Sequence, residues 1–178
     1  FADVDIETGC ITAENIEPLI NKKTKAIVVV HLGGWPADMQ RISELAKKYN
    51  LKIIEDCAQS HGAKIGSQYV GTFGDCAAWS FCTDKIISTA GEGGMVTTND
   101  KIIWDSIWSF KDHGKSFDSV FNKIHPFGFR WLHESIGTNL RLTEIQSALG
   151  KIQLKNITNT SKKREKNALY LILRLQKF

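Results

Sequence analysis

The sequence lacks the features that mark membrane-spanning, secreted and nucleic-acid-binding proteins. No apolar run approaches the roughly 20 residues that a helix needs to cross a bilayer. No cationic stretch followed by an apolar segment marks a secretory signal. The net charge is only +4, and the basic residues are spread along the chain until its last quarter. We therefore expect a cytoplasmic protein that binds neither membranes nor nucleic acid.

Paired cysteines are also lacking. The four cysteines, Cys10, Cys57, Cys76 and Cys82, form no CxxC pair, and no histidine lies at zinc-ligand spacing from them. The last three lie in apolar or small-residue surroundings. We therefore expect buried, reduced thiols, with neither disulfides nor a metal site.

Helix and strand patterns alternate through the first hundred residues. Residues 25–30 form a β-branched run with apolar residues on both faces, which suits a parallel strand covered on both sides. Pro36 predicts the start of a helix and Asn50 its end. Residues 51–55 form the next predicted strand. This strand–helix–strand unit predicts a doubly wound α/β fold with parallel strands. The predicted buried stripe of the helix consists of Met39, Ile42, Leu45, Ala46 and Tyr49.

The rest of the chain continues this pattern and ends in a helix. Two strands, a helix, a long ordered loop and a further helix are predicted at 76–81, 94–98, 100–110, 111–137 and about 142–154. The last helix carries Ile145, Ala148, Leu149 and Ile152 on one face. Both ends look cut, because residues 1–5 read as a strand already under way and residues 168–175 as an apolar helix without a stop signal. We therefore expect a fragment of a longer enzyme.

Reactive side chains follow two of the predicted strands. Ligands of open α/β sheets bind beyond the carboxyl ends of the strands, where Asp56, Ser80 and Lys85 fall. An imine-forming lysine needs a rigid, partly desolvated position, and a pyridine ring nitrogen needs a carboxylate partner to stay protonated. A phosphate needs hydroxyl and backbone N–H donors, which Ser80 and the glycine-rich residues 91–94 could provide. Taken alone, Asp56 could equally cap a turn, and Lys85 could be an exposed loop lysine.

Four motifs in order make the interpretation specific. They are DCAQSHGA at 56–63, WSFCTDK at 79–85, GEGG at 91–94 and GTNLRLTEIQ at 137–146. Together they resemble the DegT/DnrJ/EryC1/StrS family of pyridoxal phosphate (PLP)-dependent sugar aminotransferases of fold type I, as does the stretch at 31–38. The resemblance implies most of the large PLP-binding domain, a mainly parallel sheet flanked by helices, at 1–155. It also implies a helical segment at 156–178 that leads to a small C-terminal domain outside the chain.

The resemblance assigns roles at the cofactor. Lys85 matches the Schiff-base lysine, and Asp56 matches the partner of the pyridinium nitrogen. Gln59 matches a contact to the phenolic oxygen of the cofactor, and Ser80 matches a phosphate ligand. Asn139 matches a residue that reaches the phosphate of the neighbouring subunit's cofactor, so the resemblance implies a homodimer with shared active sites.

Roles toward the substrate remain open at this point. His31, His61 and Arg141 match positions near the site, where a packing role competes with substrate contact. The loop at 111–137 is expected near the substrate, because it leads to the Asn139 motif.

The resemblance implies transamination of a nucleotide-linked keto-sugar, with glutamate as amino donor, in cell-surface polysaccharide or amino-sugar biosynthesis. Relatives that dehydrate sugars carry a histidine in place of the lysine, so Lys85 favours transamination. A nicotinamide-binding fold is disfavoured, because GEGG precedes a strand-like run instead of following a strand and opening a helix. A non-catalytic, truncated subunit is the remaining alternative, and the fragment alone is expected to be inactive.

Overall fold

A four-stranded sheet flanked by helices organises the chain. The computed structural model describes residues 1–128 and 132–176. The strands are Ala26–Val30 (β1), Lys52–Asp56 (β2), Lys64–Ile65 (β3), Gln68–Tyr69 (β4), Cys76–Ser80 (β5) and Gly94–Thr97 (β6). The helices are Ala13–Ile16 (α1), Met39–Tyr49 (α2), Lys101–Lys111 (α3), Phe117–Phe121 (α4) and Glu144–Leu175 (α5), with 3-10 turns at Glu17–Leu19 and Leu32–Gly34.

The sheet is mainly parallel, as predicted. Its strand order is β1-β2-β5-β6, in which β1, β2 and β5 run parallel and β6 runs antiparallel to β5. The segment between β2 and β5, which sequence patterns left irregular, contains the small hairpin β3-β4. Its turn contains Gly66 with φ +60°, a conformation that favours glycine. The α/β prediction is therefore confirmed.

Helix α2 packs on one face of the sheet and forms most of the core. Asp38 caps its first turn by accepting the Arg41 N–H, and Asn50 ends it in the left-handed conformation with φ 52°. The predicted stop at Asn50 is confirmed, whereas the predicted start at Pro36 is too early because the Asp38 cap sets it. Of the predicted stripe, only Tyr49 is exposed. The core that joins α2 to β1 and β2 consists of Ile27, Val29, Met39, Ile42, Leu45, Ala46 and Ile53.

Only one face of β1 is covered, contrary to the prediction of a strand buried on both sides. Ile27 and Val29 are buried against α2, but Val28 is 57% exposed and Val30 is 41% exposed. The physical reason is that no element within 1–128 and 132–176 packs on the second face at this point. A β-branched run with two apolar faces therefore leaves one of them open in this chain.

The N-terminal residues form turns instead of the predicted strand. Val4 makes one isolated bridge to Ile11. Asp5 accepts the backbone N–H groups of Glu7 and Thr8 and the Thr8 hydroxyl. Such local side-chain bonds compete with strand pairing and favour a turn.

Helix α5 is longer than predicted, and its predicted apolar face points outward. It runs unbroken through the expected boundary between 155 and 156, so that domain division remains a prediction. Ile145, Leu149 and Ile152 are exposed, whereas Gly150 and Ile157 face the sheet. Among the described helices, none combines the length and the apolarity that crossing a bilayer demands.

Candidate functional site

The ends of β2 and β5 place a carboxylate and a hydroxyl on the same face of the sheet. Asp56 pairs in register with Ala78, and Ser80 follows two residues later on the same face. Asp56 Oδ1 accepts the Ala58 N–H at 3.0 Å, and Ser80 Oγ accepts the Cys82 N–H at 3.3 Å. The exposed, small Ala78 lies between them. This arrangement leaves space beside a carboxylate that can pair with a cationic group.

Lys85 lies on a closed loop directly after β5. Its backbone N–H donates to the Cys82 carbonyl at 3.0 Å, and the Phe81 N–H donates to the Gly93 carbonyl at 2.7 Å across the base of the loop. The Lys85 side chain is only 21% exposed, and its Nζ is 3.5 Å from Asp84 Oδ2. A held loop and a partly buried amine are the conditions that imine formation requires.

Gln59 joins the motif at 56–63 to the stretch at 31–38. Its Oε1 accepts the Gly33 N–H at 2.7 Å, so the segment after β2 is bound to the 3-10 turn after β1. Gly33 has φ +61°, which a glycine adopts without strain. The amide of Gln59 is thereby held at the same edge of the sheet as Asp56.

His31 has a structural environment. It is fully buried; its Nδ1 accepts the Ala37 N–H at 3.1 Å, and its Nε2 lies 3.1 Å from Glu55 Oε2. Because Nδ1 accepts, the ring proton is on Nε2 and donates to Glu55. Because both ring nitrogens are hydrogen-bonded inside the chain, packing is favoured over substrate contact, and His31 is not part of the proposed site.

Glu55, which sequence reasoning missed, is the organising carboxylate of this region. In addition to His31, its two oxygens accept the backbone N–H groups of Gly71, Phe73 and Gly74 at 2.6–2.8 Å. Burial alone would raise the pKa of Glu55, but the hydrogen bonds from His31 and the three N–H groups outweigh it and hold the pKa below its ordinary value. The sequence signal that could have identified Glu55 is its position two residues after Ile53, which puts a carboxylate on the buried face of β2.

His61 lines an apolar cavity on the face of the sheet opposite to Asp56. The cavity measures about 630 Å³ and lies between the sheet and α5. His61 is 5% exposed, and the centroid of its ring lies 5.4 Å from that of Trp79 and 5.9 Å from that of Phe81. Neither ring nitrogen has a hydrogen-bond partner among the described residues. Burial lowers the pKa of His61, and the charge of Lys85 lowers it to a smaller extent. Because Trp79 alternates with Ser80 along β5, this cavity is separate from the face that carries Asp56.

Asn139 and Arg141 lie apart from Asp56 and Lys85 within the chain. Asn139 bridges to Asp112 through its backbone, and its Oδ1 accepts from Arg141 Nε at 3.0 Å. Arg141 Nη1 is also 3.7 Å from Asp112 Oδ1. In the described parts of the chain, no contact joins this pair to Lys85. Residues 129–131 of the long loop, including Trp131, lie outside the described residues, so the expected position of that loop near the substrate remains a prediction.

One buried cluster has metal-ligand chemistry. Ligand atoms of His31, Glu55 and Cys57 lie within 4.8 Å of one another. However, Glu55 already accepts four hydrogen bonds, and burial raises the pKa of the Cys57 thiol to about 12. A neutral thiol beside a saturated carboxylate makes a hydrogen-bonded packing cluster instead of a metal site.

Comparisons with known proteins place the chain among aminotransferases. Residues 1–178 match the DegT/DnrJ/EryC1/StrS aminotransferase family. The chain is 45% identical over 171 residues to GDP-perosamine synthase of Escherichia coli O157:H7, an alignment that covers 96% of this chain and 44% of the relative. It matches the X-ray structure of an aminotransferase from Psychrobacter cryohalolentis with TM-score 0.87 and 57% identity, over 89% of this chain and 40% of that chain.

A second solved structure carries a cofactor in its name. This structure is an E. coli GDP-4-keto-6-deoxy-D-mannose-3-dehydratase with bound hydrated PLP, matched with TM-score 0.82 and 28% identity over 99% of this chain and 47% of that chain. The chain therefore spans less than half the length of the relatives it matches.

Proposed function

The chain belongs to the DegT/DnrJ/EryC1/StrS aminotransferase family, and we propose that it supplies the cofactor-binding part of a PLP-dependent enzyme that transaminates a keto-sugar. Its fold is most of the large domain of a fold type I aminotransferase. The observation that carries the proposal is Lys85, partly buried on a closed loop that follows β5, whose Ser80 lies on the same face of the sheet as Asp56 of β2.

The residues at this edge of the sheet fit PLP. Lys85 provides a partly buried amine for covalent attachment. Asp56 Oδ2 has no hydrogen-bond partner in the described parts of the chain, which leaves it open to a cationic ring nitrogen. Ser80 provides a hydroxyl for the phosphate, and Gln59 is fixed at the same edge. When bound, the cofactor supplies an electron sink for the electron pair released at the reacting carbon.

The chain's own groups move and hold the charges of this reaction. We assign to Lys85 Nζ the covalent attachment of the cofactor and, once released, transfer of the proton from Cα of the amino donor. Asp56, partly buried on the open face of the sheet, would stabilise the positive charge of the ring nitrogen. The substrate class is a nucleotide-linked keto-sugar, with glutamate as amino donor, in polysaccharide or amino-sugar biosynthesis. Kinetics should be ping-pong.

The proposed assembly is a homodimer with shared active sites. Within the described residues, Asn139 and Arg141 are exposed and make no contact with Lys85. A second copy would bring the Asn139 amide to the cofactor phosphate of its neighbour. This accounts for an exposed, hydrogen-bonded Asn–Arg pair that, among the described residues, makes no contact with the residues assigned to the cofactor.

Sugar dehydration is the second candidate function, because a dehydratase is among the structural relatives. Dehydration needs a base that does not remain tied to the cofactor as an imine. An amine at position 85 instead favours transamination.

Covalent capture tests the proposed function. The protein is incubated with PLP, reduced with borohydride and digested, and a phosphopyridoxyl mass is expected on Lys85. Lys85→Ala should lose the label, whereas Lys101→Ala, which removes an exposed lysine, should keep it. Retention of equal labelling in Lys85→Ala, or a label spread evenly over surface lysines, would show that Lys85 is not the attachment site.

A further inference from the structure

Helix α5 holds the loop that carries Lys85 through two glutamines. We call residues 82–93 the lysine loop. Gln146 Nε2 donates to the backbone carbonyl of Glu92 at 2.8 Å, and Gln153 Oε1 accepts the backbone N–H of Ser88 at 3.0 Å. The two glutamines are seven residues apart, which is two helical turns, so they lie on one face of α5.

Both bonds act on the limb of the lysine loop that returns to β6. Two backbone hydrogen bonds already join this limb to Phe81, the last residue before the loop. The Thr89 N–H donates to the Phe81 carbonyl at 3.1 Å, and the Phe81 N–H donates to the Gly93 carbonyl. The two glutamines add bonds at Ser88 and Glu92, which flank these points. The return limb is therefore fixed against the helix as well as against itself.

Close packing between the two glutamines makes this contact specific. A Cβ placed on Gly150 of α5 would lie 3.1 Å from Thr89 Cγ2 in the lysine loop. Glycine at this position lets the helix and the loop approach closely. At this distance an amide side chain of α5 reaches the loop backbone directly.

We propose that Gln146 and Gln153 are positioning residues that fix the lysine loop, and thereby the orientation of Lys85, relative to α5. The proposal rests on the function proposed for Lys85 and extends it. It assigns a role to two side chains that do not touch the cofactor-facing residues Asp56 and Ser80. By this proposal, α5, which continues to Leu175, helps to hold the Lys85 amine in position.

The two glutamines use different ends of their amides, which gives a sharp test. Gln146 Oε1 serves the N-terminal capping box of α5, where it accepts from the Thr143 hydroxyl at 3.0 Å, and only its Nε2 reaches the loop. Gln146→Glu keeps the capping acceptor and removes the bond to the loop. Gln153 contacts the loop through its oxygen, so Gln153→Glu keeps that bond. The same substitution should therefore break one contact and preserve the other.

The experiment measures hydrogen–deuterium exchange of the lysine loop without cofactor, and the pH profile of Lys85 labelling by PLP and borohydride. Gln146→Glu and Gln153→Met should speed exchange of the loop amides about fivefold, the effect of losing one hydrogen bond, and should shift the labelling profile. Gln153→Glu and the charge-matched control Asn159→Glu, at an exposed position of α5, should match the wild type in both measurements.

Three results would overturn the proposal: equal behaviour of Gln146→Glu and Gln153→Glu, unchanged exchange in Gln153→Met, or altered exchange without any change in Lys85 labelling. The proposed function fails separately. If the wild type takes no label on Lys85 while exchange responds as expected, the contact between α5 and the loop stands and the role of Lys85 falls. If Lys85 is labelled but exchange does not respond, the reverse holds.

Discussion

Asp56 and Glu55 are neighbours in sequence with opposite surroundings. Asp56 lies on the open face of the sheet with one oxygen bonded to the Ala58 N–H, whereas Glu55 is fully buried and accepts four hydrogen bonds. The alternation of side chains along β2 produces this difference. One carboxylate is thereby available for chemistry, while the next fixes the residues that follow β4 and the buried imidazole of His31.

The lowered pKa of Glu55 predicts how stability depends on pH. A carboxyl group whose pKa is lower in the folded than in the unfolded chain contributes its full stability above the ordinary value of 4.5, and that contribution is lost as the pH falls from 4.5 through the lowered pKa of the folded state. Glu55→Gln should therefore lower the free energy of unfolding by about 2–3 kcal/mol at neutral pH. The difference from wild type should shrink toward acid pH, where wild-type Glu55 is itself protonated.

Urea unfolding at pH 7 and at pH 3.5 measures both effects. Glu44→Gln, at an exposed position of α2, is the control and should change stability by less than about 0.5 kcal/mol. A constant difference between Glu55→Gln and wild type at the two pH values would contradict the assignment.

At the scale of single elements, side-chain caps set where helices begin. Asp38, Asp100 and Thr143 each accept a backbone N–H of the first turn that follows them. Asp100 Oδ1 accepts two, from Ile102 at 2.8 Å and Ile103 at 3.2 Å. These bonds satisfy N–H groups that have no partner within the helix. The start of α3 one residue after Asp100 follows from this.

The cap of α3 gives a prediction on stability. Asp100→Ala should lower the free energy of unfolding by about 1 kcal/mol, because two N–H groups lose their acceptor. Asp100→Asn keeps an acceptor oxygen and should cost much less. Thermal or urea unfolding of the two variants measures the difference. Equal destabilisation by both would show that the charge of Asp100, and not its capping bonds, stabilises the helix.

At the scale of the whole molecule, burial is uneven. The core joins α2 to β1 and β2, while the second face of the sheet exposes Val28 and Val96. Every residue of α5 from 162 to 175 is exposed, including the apolar residues near the end of the helix. Local stability follows buried contacts, so it should differ between these regions.

Hydrogen exchange across the molecule tests this uneven stability. Hydrogen-bonded amides of the central strand β2 should exchange only through global unfolding, whereas amides of α5 from 162 to 175 should exchange by local opening, at least about tenfold faster. Mass spectrometry on peptic fragments resolves the two regions, and the first half of α5, which faces the sheet, is the internal reference. Equal protection along α5 would show that its second half is covered in solution, for example by a second copy.

The sequence by itself determined the α/β alternation, the parallel strands and which polar side chains follow them. Hydrophobic period and turn residues are local properties, so β2, β5 and the stop at Asn50 could be predicted from them. The lysine, the carboxylate and the hydroxyl could likewise be located, because their order along the chain carries the family motifs. The helix stripe of α2 was predictable for the same reason, since the apolar period of 3.6 residues is written in consecutive positions.

Only the tertiary structure decided which faces are covered and which side chains act on one another. The periodicity of α5 could not reveal that Ile145 and Leu149 point outward, because burial depends on what packs against the helix. Glu55 and His31 are 24 residues apart, and Gln153 and Ser88 are 65 apart. Hydrogen bonds between such distant positions follow from the path of the chain in space and leave no local pattern. The hydrogen bonds from α5 to the lysine loop are therefore a property of the fold, whereas the place of Lys85 in a loop after β5 could be predicted from the sequence.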